Sequence, residues 1–139
     1  MSNKLEPIKL TFTSYRESLG ITDRLRVSLD RHSPKHCSYP IVPFLMMPMA
    51  RNLSTDNTEK IVNITLDNNW DLIRDFINDM HKIGLRHIVL CCWCTREQIS
   101  YGKFCYAGVI GRYIRDKVDR DGEPTFPVEI EYGDGRERL

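Results

Sequence analysis

Along this chain the spacing of apolar residues switches between a period of two and a period of three to four, which separates strands from helices. Leu10-Thr11-Phe12-Thr13 alternates and predicts a short strand, followed by a turn over 14–20 with one helical turn ended by Gly20. Leu25 to Leu29 predicts a second strand, with Leu25, Val27 and Leu29 on one face. Prolines at 34, 40, 43 and 48 then exclude a long helix or a central strand over 30–50. That stretch nevertheless holds Ile41, Val42, Phe44, Leu45, Met46, Met47 and Met49, so it must pack as an irregular segment or meet a partner. Residues 51–63 are polar and leave helix and loop open. Asp67, Asn68 and Asn69 are N-cap candidates for a helix whose apolar stripe is Trp70, Ile73, Ile77 and Met80, with Phe76 beside it. Gly84 marks its end, and His81 and Lys82 suit its last carbonyls. His87 to Trp93 is nearly all apolar, the mark of a strand buried on both faces. Helical spacing returns from Lys103 to about Lys117, with small residues at 107, 108 and 111 for a close approach to the sheet. Phe126 to Tyr132 alternates again, and Pro127 and the outward glutamates suit an edge strand.

Strands and helices in this order predict a small three-layer α/β domain with a mostly parallel central sheet and a C-terminal edge strand. It spans 8–132, with 1–7 and 133–139 as flexible termini. Ligands of such sheets bind beyond the carboxyl ends of the strands, so the loops after Thr13, Leu29 and Trp93 should form the site.

Composition narrows the function classes. A chain of 139 residues suits one core. Twenty basic against nineteen acidic residues argue against a nucleic-acid coat, and no apolar run is long enough for a membrane span. The first residues carry no apolar signal-peptide core, and the five cysteines are an odd, clustered set. Both features lead us to expect reduced thiols in a cytoplasm. Gly-rich phosphate loops, kinase motifs and the His-x-Glu deaminase signature do not occur.

The sharpest chemical feature is Leu90-Cys91-Cys92-Trp93-Cys94, followed ten residues later by Cys105 at a helix start. Adjacent strand residues face opposite ways, so Cys91 should pack inside while Cys92 and Cys94 mark the strand's carboxyl end. A helix N-terminus with Arg96 or Lys103 nearby would stabilise a Cys105 thiolate. That arrangement fits a nucleophile, an anion pocket or a metal ligand, and equally a thiol buried against the sheet. No cofactor is expected; the metal alternative is a zinc held by Cys92, Cys94 and Cys105 with Cys37 or His36 as fourth ligand, against which Cys-x-Cys replaces the usual Cys-x₂-Cys knuckle and no second close pair exists. His32 and His36 are open partners for Cys105, and His87 should lie at the amino end, away from the site. Thr13, Ser14, Tyr15 and Arg16 follow the first strand and suit a phosphate, a carboxylate or a nucleotide edge.

The two cysteine segments, Leu90–Cys94 and Phe104-Cys105-Tyr106-Ala107-Gly108-Val109-Ile110, resemble the paired signature of the DUF488 and DUF4326 families of small uncharacterised bacterial and phage proteins. In those families an apolar strand ends in Cys and an aromatic, and a later helix opens with Cys-His-Arg or Cys-His-Gly. By resemblance, Cys92 matches the strand cysteine, Trp93 the aromatic, Cys94 the position after it and Cys105 the helix-start cysteine. Phe12-Thr13-Ser14-Tyr15 is similar to the segment that opens some members. Tyr106 stands where the family has His, so an acid, base or ligand role there would fall to a phenol.

These readings converge on a small anionic, nucleotide-like ligand, oriented by Thr13, Ser14, Tyr15, Cys92, Cys94, Arg96 and Tyr106, with Cys105 as the catalytic candidate. The alternative is a module that binds a host protein or a second copy, through Phe44, Met46 and Met47 and without catalysis.

Overall fold

The computed structural model describes residues 6–20, 24–30, 34, 35, 37, 39–45, 55–92 and 106–132. Its strands are β1 (Ile8–Ser14), β2 (Leu25–Ser28), β3 (His87–Cys92) and β4 (Val128–Tyr132), and its helices α1 (Tyr15–Ser18), α2 (Thr55–Lys82) and α3 (Tyr106–Asp121). The strands form one sheet in the order β2-β3-β1-β4, and every pairing is parallel. Ser14 stands opposite Cys92 at one end of the sheet, and Lys9 opposite His87 at the other. β4 lies at one edge, as its outward glutamates suggest.

The order explains the layers. β2 to β3 and β3 to β4 move across the sheet in one direction, whereas β1 to β2 moves back. Right-handed crossovers therefore place α2 and α3 on one face and α1 on the other. Packing agrees with this. Ile8, Leu10 and Phe12 of β1 and Ile88, Leu90 and Cys92 of β3 join Val62, Leu66, Trp70, Ile73 and Ile77 of α2 and Ile110 and Ile114 of α3 in the main core. On the second face Tyr15, Cys37, Val89 and Cys91 make a small separate cluster, with Tyr39 packed against it. Among the described residues the third layer is therefore thin, built from α1, Cys37 and Tyr39.

α2 is longer than its sequence signals suggest. It begins at Thr55, so Asp67, Asn68 and Asn69 lie inside it and cap nothing. Val62, Leu66, Trp70, Ile73 and Ile77 are all buried and follow helical spacing, which outweighs the poor intrinsic propensity of the Asp-Asn-Asn run. Thr65 bonds back to the Ile61 carbonyl at 2.8 Å, which satisfies its hydroxyl within the helix. The end is as expected. Gly84 has φ of 98°, its N–H donates to the His81 carbonyl at 3.1 Å, and Leu85 donates to Met80 at 2.9 Å. These are the two bonds of a Schellman motif, and its left-handed residue favours glycine.

His81 does more than cap. Its ring is buried, stacked on Phe126 at 3.7 Å, and Nε2 donates to the Glu6 carbonyl at 2.8 Å, so it ties α2 to both ends of the chain's sheet region. At the other edge Gly111 lets α3 close onto β4. A Cβ there would lie 2.8 Å from Cε1 and 2.9 Å from Cζ of Tyr132. The proline-rich segment adds a 3-10 turn, Pro43–Leu45, and a parallel bridge from Ile41 to Ser28 outside β2. Among the described residues no helix is long and apolar enough to cross a membrane.

Candidate functional site

Adjacent strands whose connections leave to opposite faces open a crevice between their carboxyl ends. Here those strands are β1, which leads to α1, and β3, which leads towards α3. That rule points to the sheet end at Ser14 and Cys92 as the place where a crevice would form. Its described side chains are mostly turned inward. Thr13, Ser14 and Tyr15 are 1%, 4% and 3% exposed. Cys92 belongs to the main core and Cys91 to the cluster on the second face, so the adjacent thiols point in opposite directions.

The second-face cluster is held by polar contacts as well as packing. Ser18 donates its hydroxyl to the Tyr15 carbonyl at 2.6 Å and lies 2.8 Å from the Tyr39 hydroxyl. The Cys37 thiol reaches the Tyr15 carbonyl at 3.9 Å, and the Arg26 guanidinium sits 4.6 Å over the Tyr39 ring. Tyr15 donates its phenol to Asp30 Oδ2 at 3.4 Å. Burial holds that phenol well above the usual tyrosine range, the nearby Asp30 charge adds to the rise, and the Ser28 hydroxyl opposes it. Tyr39 is raised for the same leading reason, burial. Asp30, just past the end of β2, is a carboxylate that sequence reasoning passed over.

Among the expected site residues, Thr13, Ser14, Tyr15 and Cys92 do gather at one end of the sheet. Cys94, Arg96 and Cys105 lie outside the described residues, as do His32, His36 and the side chain of Tyr106, whose backbone opens α3. The zinc expectation is corrected. Among the described residues no group of three or more His, Cys, Asp or Glu side chains could hold a metal ion. Of the expected set, Cys92 is 2% exposed within the main core and Cys37 is 2% exposed in the separate cluster on the second face. Phe44 meets Phe76 edge to face at 5.8 Å beside the core, while Met46 and Met47 lie outside the described residues.

The opposite end of the sheet carries a constellation that sequence reasoning missed. Arg24 Nε donates to His87 Nδ1 at 2.8 Å, His87 Nε2 lies 2.7 Å from Thr11 Oγ1, and Thr11 donates to Glu131 Oε2 at 2.9 Å. Lys9 pairs with the other oxygen of Glu131 at 3.8 Å. Arginine only donates and a carboxylate only accepts, so the directions along the chain are fixed. Thr11 gives its one proton to Glu131 and must accept from His87, whose ring is therefore neutral, with its proton on Nε2. The available signal was the polar alternation of Lys9, Thr11 and Thr13 in β1 against Glu129 and Glu131 in β4, which share the second face of the sheet.

Comparison of the chain with protein-family models, curated proteins and solved structures finds no match.

Proposed function

We propose that this domain binds a small anionic, nucleotide-like ligand in the crevice between the carboxyl ends of β1 and β3. The single observation that carries the reading is the Ser14–Cys92 pairing on adjacent strands whose connections leave to opposite faces. Asp30 supports it, because a carboxylate that already accepts the Tyr15 phenol can accept a sugar hydroxyl. In this reading Arg96 meets the anionic group, Thr13, Ser14, Cys92 and Cys94 form the crevice walls, and Cys105 at the approach to α3 is the nucleophile or lines the anion pocket. The likeness to the DUF488 and DUF4326 signatures supports the choice of Cys92 and Cys105 and assigns no reaction. Cytoplasmic residence belongs to the same proposal, supported by Cys37, Cys91 and Cys92, which are buried and not in disulfides.

Thermal unfolding with a panel of nucleotides and sugar phosphates tests the reading, since a ligand at one hundred times its Kd adds about 2.7 kcal/mol. At least one nucleotide should raise Tm, and Cys105→Ser should reduce the shift while the ligand-free protein stays folded. A panel without any shift, or a shift whose amide footprint avoids residues 14, 28–30 and 92, overturns it.

A further inference from the structure

α2 buries one side, that of Val62, Leu66, Trp70, Ile73 and Ile77, in the main core. At 3.6 residues per turn the opposite side carries Ile61, Ile64, Asn68, Leu72 and Asp75. The outer face of such a helix is ordinarily polar. Here Ile64 is 59% and Leu72 52% exposed, with Ile61 half-buried in the same stripe.

Charge along this side is divided by position. Lys60 is exposed near the start of the helix, and the exposed acids Asp75 and Asp79 lie near its end. Asp75 gives one oxygen, Oδ1, to Arg74 at 3.6 Å and keeps its side chain 63% accessible. The pattern is reciprocal about Asn68, which is itself exposed. Ile64 stands four residues before it and Leu72 four after; Lys60 stands eight before it, and Asp75 and Asp79 seven and eleven after.

A second copy laid antiparallel, with a two-fold axis at Asn68, answers every one of these features. Ile64 of each chain meets Leu72 of the other, and Lys60 of each comes between Asp75 and Asp79 of the other. The two Asn68 amides meet on the axis, where each can donate to the other's oxygen. The helix dipoles oppose each other, which favours the same orientation. The stretch from Lys60 to Asp79 is about 29 Å long at 1.5 Å per residue, enough for an interface at the small end of the specific range. A partner of different sequence would require no such reciprocity.

We propose that the outer face of α2 is a homodimer interface, formed by antiparallel pairing of two copies about Asn68. It uses none of the residues assigned to the crevice between β1 and β3, so either reading can fail without the other.

The test is sedimentation velocity of the full chain between about 10 μM and about 0.5 mM, where a reversible monomer–dimer equilibrium is expected. Leu72→Glu should weaken the dimer at least about tenfold, because it sets a carboxylate against Ile64 of the second copy. Lys60→Glu should weaken it several-fold at low salt, and adding Asp75→Lys and Asp79→Lys to that variant should restore most of the loss. Asn68→Cys should form a disulfide-linked dimer with oxidised glutathione, since each new thiol faces its own copy on the axis. Asp116→Cys, on the exposed side of α3, is the control and should cross-link far more slowly. All the altered residues are exposed, so the variants should melt like the parent when monomeric. The proposal is overturned if the parent stays monomeric throughout the range, if Leu72→Glu associates as the parent does, if the reversed charges restore nothing, or if Asn68→Cys cross-links no faster than Asp116→Cys.

Discussion

The two ends of the sheet use the same strands and reach opposite solutions. At the carboxyl end, buried Tyr15, Ser18 and Cys37 and half-buried Tyr39 place their hydroxyls, thiol and phenols on a backbone carbonyl, on each other and on Asp30. At the amino end, the full charges of Arg24, Lys9 and Glu131 sit in or near water; Lys9 pairs with Glu131 across strands, and Arg24 meets the neutral His87 ring. The difference follows from coverage. α1, Cys37 and Tyr39 close the second face over Val89 and Cys91, whereas the half bearing Lys9, His87 and Glu129 opens into a cleft of about 420 Å³. Neutral polar groups tolerate a dry site when they are hydrogen-bonded, and charges do so only at high cost. Mutations of the buried groups at the carboxyl end should therefore cost more stability than mutations of the exposed charges at the amino end.

The largest effect is expected where the core fills the carboxyl half. Phe12 is fully buried and stacks on Tyr132 with ring centroids 6.0 Å apart. Phe12→Ala should cost about 3–5 kcal/mol in urea unfolding, the range for truncating a buried aromatic. A cost under about 1 kcal/mol would mean that this half is loosely packed and that the contrast between the ends is wrong.

Overpacking the same region should come next. Gly111→Ala places a methyl group against the Tyr132 ring, and neither α3 nor the edge strand can retreat without opening the core. About 1–3 kcal/mol is expected. Replacing Tyr132 with Leu removes the atoms in the way, so in that background the alanine should cost distinctly less. Additive costs in the double-mutant cycle would show that the close approach of α3 to β4 is not the cause.

Much of this was legible in the sequence, and the exceptions have physical reasons. β3 was readable because a strand buried on both faces has little choice but apolar residues from Ile88 to Cys92. Gly111 was readable because small residues on a helix face mark close packing. The first three turns of α2 were not, because Asp67, Asn68 and Asn69 imitate a cap and only the tertiary stripe from Val62 to Ile77 overrules them. What was legible at the carboxyl end is the parallel order of strands, from which a general rule places a ligand site there. The amino-end network needs the register: nothing in the linear chain says that Thr11 will stand between His87 and Glu131, 76 and 120 residues away.

The ends should also answer to different pH ranges. Tyr15 holds its proton more tightly when folded than when unfolded, chiefly because it is buried. Above about pH 10 the unfolded chain gives up that proton first, so the folded state binds more protons and stability falls as pH rises. Below that range the contribution is fully present. Tyr15→Phe should make the decline between pH 9 and pH 11 shallower than in the parent, with the lysines, common to both proteins, cancelling in the comparison. Equal slopes would place the Tyr15 phenol in water and take the dryness of the carboxyl end with it.

The smallest effects should appear at the amino end, and they can divide its network. Lys9 and Glu131 are partly exposed, with side chains 41% and 52% accessible, so their ion pair is screened by solvent. Lys9→Ala should change stability by less than about 0.5 kcal/mol, and that change should fade in high salt. Glu131→Ala removes the same ion pair and also the acceptor of the Thr11 hydroxyl, which is 4% exposed and lies next to His87. Its cost should exceed that of Lys9→Ala by about 1 kcal/mol, because a buried hydroxyl loses its partner, and the excess should persist in salt. Without Glu131, Thr11 is free to donate to His87 instead, and the ring can then take the other tautomer and turn a proton toward Arg24. The His87 nitrogen shifts of Glu131→Ala therefore read the network directly. If they match those of the parent, the carboxylate does not set the tautomer.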